Sequence, residues 1–255
     1  MPDPALTRDA FLGGRLQIIQ PKQGYRAGID PVFLAACVEA KAGQSVLDLG
    51  CGVGVAALCL GARVPGLSLT GIERQAEYAD LARRNAASNG IAMEVVTGDL
   101  ATMPAALRTR QFDHVIANPP YFDRTASTPA QDAGREAALG ENTPLATWLR
   151  AAARRTVPGG SVTIIHQAER LPDLLAAAAP CLGSLSVLPL IARAGRPARL
   201  VILRARKGGR ARFCLLDGWV LHDGAFHAGD HDDYSAATTR ILRHGDPIAV
   251  DSNNR

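Results

Sequence analysis

From Ser45 onward the chain alternates short apolar runs with longer stretches in which apolar residues recur at helical spacing. An apolar run bounded by turn residues reads as a buried strand, and apolar positions at i, i+3 and i+4 read as a helix packed on one face. On this basis residues 45–49, 67–73, 93–97, 112–117, 161–166, 185–190 and 200–204 are predicted strands, and 53–63, 75–89, 145–156 and 170–179 predicted helices. Gly90 stops the second helix, and Pro158-Gly159-Gly160 turns the chain after the third. Strands alternating with helices require a parallel sheet covered on both faces. The predicted architecture is therefore α/β: a doubly wound, seven-stranded, mostly parallel sheet. Residues 1–44 form an arm, with one edge strand at 16–20 and a helix starting at Asp30-Pro31, where Asp30 either caps the helix or faces a pocket and the loop before it places Tyr25 and Arg26 to cover a bound ligand. Residues 45–205 make the core and 206–255 a C-terminal extension, with a strand or hairpin at 213–221 and a short helix at 234–243. Polar, aperiodic residues 123–143 read as a long loop near the site.

Composition narrows the class of protein. A chain of 255 residues suits one domain. With 47% hydrophobic and 20% charged residues it is ordinary globular material, and no apolar run approaches the ~20 residues of a membrane span. The N-terminus has neither a basic region nor an apolar core of a leader, and the five cysteines lack paired spacing, so a reducing cytoplasm is expected. The net charge of +4 is unevenly spread: Arg193, Arg196, Arg199, Arg204, Arg206, Lys207, Arg210 and Arg212 stand together with no acid among them, leaving 4 − 8 = −4 for the rest. Such a run is either a solvated hairpin or a contact for a polyanion such as RNA.

The candidate chemistry converges on Asn118-Pro119-Pro120-Tyr121, which follows the apolar strand 112–117 directly. Two prolines fix their own φ and restrict the residue before them, so the tetrapeptide is pre-set. Methyl transfer to a planar, weakly nucleophilic amine, on a base or on a side-chain amide, wants such a device. The Asn118 oxygen and the Pro119 carbonyl would accept both amine hydrogens and aim the lone pair, and Tyr121 would stack on the target. Upstream, Asp48-Leu49-Gly50-Cys51-Gly52-Val53-Gly54 makes a strand and glycine turn. Val55 occupies the third glycine position of the dinucleotide fingerprint, which disfavours a nicotinamide cofactor. Glu73, at the end of the second core strand, is placed to accept from ribose hydroxyls. Asp99, in Gly98-Asp99-Leu100, either builds its own turn or meets an adenine amino group.

The glycine turn, Glu73, Asp99 and Asn118-Pro119-Pro120-Tyr121 follow the order of class I S-adenosylmethionine-dependent amino-methyltransferases. With Gly24-Tyr25-Arg26-Ala27-Gly28-Ile29-Asp30, Phe122 and Tyr234-Ser235 added, the chain resembles the bacterial tRNA1(Val) adenine-37 N6-methyltransferase family over nearly its whole length. That resemblance implies S-adenosyl-L-methionine as cofactor, with contacts from Asp48, Gly50, Cys51, Gly52 and Gly54, ribose contact at Glu73, adenine contact at Asp99 and Leu100, and pocket closure by Arg26 and Asp30. It implies catalysis by Asn118, Pro119 and Tyr121, and a tRNA or other RNA partner. The 123–143 loop and the tail depart from the family, and these are the parts that select the RNA. Three other readings stay open: a glutamine N5-methyltransferase, a guanine N2-methyltransferase of ribosomal RNA, and an inactive RNA-binding relic. His222, His227 and His231, interleaved with Asp223, Asp230, Asp232 and Asp233, read as a polar surface loop without metal-ligand spacing.

Overall fold

A computed structural model describes residues 3–121, 143–224, 226 and 233–248. The strands, in chain order, are β1 (Leu6–Phe11), β2 (Leu16–Pro21), β3 (Ser45–Leu49), β4 (Ser68–Glu73), β5 (Met93–Thr97), β6 (Phe112–Ala117), β7 (Thr156–Gln167), β8 (Gly183–Ile191), β9 (Ala198–Arg206), β10 (Cys214–Leu215) and β11 (Trp219–Val220). The helices are α1 (Asp30–Ala36), α2 (Val55–Arg63), α3 (Ala76–Ser88), α4 (Ala105–Arg108), α5 (Leu145–Arg155), α6 (Leu171–Ala178) and α7 (Ala236–His244). The main sheet runs β8-β9-β7-β6-β3-β4-β5, with β10 and β11 both on the outer side of β8. Strands β3 to β7 are parallel, and β9 is antiparallel to both its neighbours. This is the doubly wound, mostly parallel sheet expected. Its order reverses between β3 and β6, where open α/β sheets form their ligand crevice.

Successive residues of a strand face opposite sides of a sheet, and the core divides accordingly. Val46, Ile116, Ile165 and Ile202 pack with α1, α2 and the arm, whereas Leu47, Leu49, Val115, Ile164 and Leu203 pack with α5 and α6. Because every other residue shares a face, Asp48 lies on the side of Val46, toward the arm.

The arm differs from expectation in being a hairpin, β1 paired antiparallel with β2, rather than one edge strand. Its free edge is satisfied by side chains. On α3, Asn85 accepts from Ile19 N at 2.8 Å and donates to Ile19 O at 3.1 Å, and Asn89 treats Gln17 in the same way at 2.8 and 2.9 Å. Two carboxamides one helical turn apart thus replace a neighbouring strand. Arg15 joins the arm to α2 and α7 by donating to Ala62 O at 2.7 Å and His244 O at 2.9 Å. The residues joining β2 to α1 are thereby held over the carboxyl ends of the core strands.

Three further expectations change. β7 begins at Thr156, paired with Phe112, and absorbs the Pro158–Gly160 turn as an irregularity in its register with β6. Residues 213–221 supply two short strands, each parallel to β8, rather than a hairpin. Asp30 lies inside the first turn of α1, whose N-cap is Ile29, so its carboxylate caps nothing.

Candidate active site

β3 and β6 are neighbours with Leu49 opposite Ala117, so Gly50 and Asn118 emerge side by side at the carboxyl edge. Glu73 ends β4 at the same edge, and Asp99 follows β5. The topology thus gathers the sequence-predicted turn, acids and tetrapeptide into one crevice.

The glycines of the turn are required by conformation. Gly50, Gly52 and Gly54 have φ of 65°, 54° and 89°, a left-handed region costly for residues with a Cβ. A Cβ on Gly50 would also stand 2.6 Å from the Trp148 ring of α5, whereas at Gly52 it would meet open space. Gly52 therefore leaves its backbone accessible. Cys51 instead packs inward: a Cβ on Gly71 of β4 would lie 2.7 Å from its sulfur. Burial raises the Cys51 thiol well above its ordinary pKa, the Asp48 and Glu73 charges adding to the effect, so its side chain serves packing and only its backbone faces the crevice.

Glu73 is buried and braces the turn, accepting from Gly52 N at 3.0 Å and Gln75 N at 2.8 Å. Each carboxylate oxygen retains a second acceptor site, so ribose hydroxyls can still be bound. Burial raises its pKa, opposed by the backbone amides of Gln75 and Gly52.

Asp48 is 2% exposed and its Oδ2 has no hydrogen-bond partner among the described residues. Burial pushes its pKa up to about 8, against the Ala57 backbone amide and with a further contribution from Glu73. It lines a cleft of about 40 Å³ with Tyr25, Gly50, Gly52 and Asn118, which has room for the end of a ligand rather than the whole. An orphaned, buried carboxyl favours a cationic group there. The amino and sulfonium groups of S-adenosylmethionine are of that class, and the accessible glycine turn and Glu73 suit the remainder of that molecule. The donor set fits.

Asn118 donates from Nδ2 to the Tyr25 hydroxyl at 3.2 Å, which turns Oδ1 away from Tyr25, without a partner among the described residues. Tyr121 donates to Asp30 Oδ2 at 2.6 Å, and its ring meets His166 edge-on, the centroids 5.4 Å apart. Asp30 thus belongs to the pocket; burial raises its pKa and the Tyr121 bond opposes the rise. His166, at the end of β7, is wholly buried with its pKa lowered by burial to about 4. Its Nδ1 accepts from Gln167 N at 2.9 Å, so the proton sits on Nε2, which has no partner among the described residues.

Other predicted residues stand apart. Arg26 turns into the hairpin, ion-paired with Asp9 at 2.8 Å and bonded to Thr7 Oγ1 at 2.8 Å, so its guanidinium does not close the crevice. Tyr25 takes that place. The signal for it was an aromatic in a glycine-flanked loop, and selecting it over its neighbour required knowing where the hairpin docks. Asp99 Oδ1 builds its own turn with Ala101 N at 2.8 Å, leaving Oδ2 without a partner among the described residues. The Leu100 side chain enters the core, so only its backbone faces the site.

The basic run does not form one patch. β9 carries it from the carboxyl edge, where Leu200 pairs with Gln167, to the opposite edge, where Arg206 pairs with Ser161. Six residue steps of about 3.3 Å separate Leu200 from Arg206 by about 20 Å. Arg204 is buried in an ion pair with Glu39 at 2.9 Å, Arg193 is bound to Asp233, and Lys207 donates to Thr156 O at 2.8 Å. Arg210 and Arg212 are exposed but beyond the far edge, leaving Arg196 and Arg199 as the exposed cations beside the crevice. His222 contacts Asp233 at 2.6 Å and stacks on Tyr234. Among the described residues no three metal-binding side chains cluster. Most of the 123–143 loop, with His227 and His231, lies outside the described residues.

Comparison with known proteins agrees with this geometry. The sequence pattern of the family described as methyltransferase small domain matches residues 28–175. A tRNA1(Val) (adenine(37)-N6)-methyltransferase of Porphyromonas gingivalis is 34% identical over 175 residues, covering 65% of this chain and 68% of the relative. The protein of the same name from Dickeya chrysanthemi is 29% identical over 216 residues, covering 82% and 83%. Among solved structures, a predicted O-methyltransferase from Agrobacterium tumefaciens superposes with a TM-score of 0.70 at 26% identity, over 86% of this chain and 98% of that one. The Thermus thermophilus 16S rRNA N2 G1207 methyltransferase, solved with AdoMet and guanosine, shares the fold with a TM-score of 0.56 at 19% identity, over 79% and 50%.

Proposed function

The chain belongs to the methyltransferase small domain family, and from that membership we propose that it is an S-adenosylmethionine-dependent enzyme methylating the N6 amino group of an adenine in tRNA. The observation that carries this reading is the adjacency of Asn118, whose Oδ1 has no partner among the described residues, to the glycine turn at Gly50. The names of the relatives favour the tRNA adenine over a ribosomal guanine or a protein glutamine. An intact turn, acid and tetrapeptide argue against an inactive relic.

When bound, the cofactor supplies an electrophilic methyl group. The chain's own residues hold and aim. Asp48 and the accessible backbone of the 50–54 turn receive the methionine end, Glu73 the ribose hydroxyls, and Asp99 with the Leu100 backbone the adenine. Asn118 Oδ1 and the Pro119 carbonyl accept the two hydrogens of the target amine. That draws the nitrogen out of conjugation with its ring, so that its lone pair rather than its π system faces the methyl group. The nitrogen becomes acidic only as the bond forms, so a carbonyl or water suffices to take its proton. Tyr121 stacks on the base, its ring fixed by Asp30 and His166. Residues 1–44, 45–205 and 206–255 act as one methyltransferase unit, and a tRNA substrate puts its work in the cytoplasm. Among the described residues no helix is long and apolar enough to cross a membrane.

The test is to incubate the protein with methyl-labelled S-adenosylmethionine and total RNA from a strain lacking the gene, then map the labelled nucleoside. N6-methyladenosine in tRNA is the expected product. Label in N2-methylguanosine or in protein glutamine would replace this reading with the corresponding alternative.

A further inference from the structure

We propose that a cleft between the segment 100–108 and α5, away from the basic run, is a second RNA contact that holds backbone phosphates of the substrate on Arg108, Arg150 and Arg154. This deepens the tRNA reading and rests on it. The cleft has a volume of about 510 Å³; its wall carries four guanidiniums, from Arg108, Arg150, Arg154 and Arg155, and none of its lining residues is acidic.

The four arginines are placed by structure and, among the described residues, meet no carboxylate. Arg155 donates to the carbonyls of Leu107 and Arg108, which straps the 100–108 segment to the end of α5 without cancelling its charge. Burial lowers its pKa, and the Arg154 charge lowers it further, as expected where cations gather with no counter-ion. Arg150 donates to Thr147 Oγ1 at 3.0 Å, and Arg108 reaches the Met103 carbonyl at 3.4 Å; Arg154 makes no hydrogen bond or ion pair among the described residues. Arg108, Arg150 and Arg154 are exposed. Cations in the last turn of a helix complement its dipole, which accounts for Arg154 and Arg155. It does not account for Arg150 in mid-helix, nor for Arg108 on the opposite wall.

Position and chemistry favour RNA as the occupant. Leu100 and Thr147 line the cleft, and Leu100 directly follows Asp99 at the carboxyl edge, where Asn118 also lies; from there the cleft reaches Arg154 and Arg155, next to Thr156 at the opposite edge, so it leads away from the site along the flank of α5. Thr147, Arg150 and Arg154 form one stripe along α5, with the two arginines a helical turn, about 6 Å, apart. A guanidinium fork pairs bidentately with phosphate, and a row of them tracks a backbone without reading sequence. An acidic protein would satisfy the charge but gives no reason for the cleft to open beside the methyl-transfer site.

The test uses the full chain with Arg150→Gln and Arg154→Gln combined, since both residues are exposed and glutamine keeps the helix. Binding of an unmodified tRNA transcript is followed by fluorescence anisotropy between about 50 and 200 mM salt. The expected result is weaker binding, with the log-affinity against log-salt slope reduced by about 0.7–0.9 for each phosphate that no longer meets an arginine, and cofactor affinity unchanged. The double lysine variant should keep the wild-type slope, and transfer at saturating RNA should keep its kcat while KM rises. Unchanged RNA affinity and slope in the glutamine variant would overturn the proposal, including in favour of an acidic protein partner. If the wild-type chain binds tRNA but never methylates it, the functional reading fails, and the slope comparison still decides the cleft.

Discussion

The Tyr121–Asp30 bond separates what the tyrosine ring does from what its hydroxyl does. Tyr121→Phe keeps the ring and its edge contact with His166 but removes a 2.6 Å bond to a carboxylate. A hydrogen bond to a charged group contributes about 1.5–3 kcal/mol. Asp30 already has a pKa raised by burial, and losing its donor raises it further. The net destabilisation should be about 1–2 kcal/mol, or a fall in Tm of about 2–8 °C for a chain of this size. Catalysis should fall less than about tenfold, because the stacking surface remains. Tyr121→Ala removes that surface, and at about 1–3 kcal/mol per stacked base kcat/KM should fall about 5- to 150-fold. The assay is labelled methyl transfer to tRNA alongside thermal melts of Tyr121→Phe, Asp30→Asn and the double variant. Coupling between the two positions should exceed about 1 kcal/mol. Equal damage to kcat/KM from Phe and Ala would remove stacking as the role of the ring. Additivity of the melts within about 0.5 kcal/mol would mean that the bond is not energetically significant.

Asn118→Ala should lower the methyl-transfer rate on the order of 100-fold or more while leaving cofactor affinity in place, because the amide acts on the target amine; parallel loss of cofactor affinity by calorimetry would show that the residue shapes the cofactor cleft instead. Glu73→Ala should weaken S-adenosylmethionine binding by roughly 1–3 kcal/mol, since the ribose loses its acceptor and the Gly52 amide its brace; unchanged calorimetric affinity would remove Glu73 from the site. Asp48 gives a pH signature. Its folded pKa of about 8 lies above the unfolded value of 3.8, so its contribution to stability is fully present below pH 3.8 and is lost as pH rises through 8. Asp48→Asn should therefore melt close to wild type near pH 4 and above it near pH 9, and a wild-type advantage at pH 9 would contradict the raised pKa. Cofactor binding near pH 7 should release a proton from wild type and none from Asp48→Asn, read by calorimetry in buffers of different ionisation enthalpy.

Local patterning determined much of this protein by itself. Strands buried on both faces read as continuous apolar runs, so β3 to β9 were legible, as was the parallel alternation that forces their crevice to the carboxyl edge. The glycine turn and the Asn118–Tyr121 tetrapeptide were legible because each demands a backbone conformation that only glycine or proline supplies cheaply. Tertiary structure alone decided which side chains meet. The arm was only half legible: β2 was read as an edge strand, but β1 carries Arg8 and Asp9 and has no buried residue, so no apolar run marked it, and β2 finds its second partner in Asn85 and Asn89, carboxamides on a helix more than 60 residues away. Docking of that arm put Tyr25 rather than Arg26 against Asn118, and aimed Asp30 at Tyr121 rather than at the amides of its own helix. The eight basic residues from Arg193 to Arg212 are contiguous in sequence, but a strand advances about 3.3 Å per residue and alternates its faces. β9 thus carried some of them to the far edge and buried Arg204, while Arg108, Arg150 and Arg154, scattered along the chain, came to line one cleft. Charge density along a chain becomes charge density in space only where the fold leaves neighbours in sequence on the same surface.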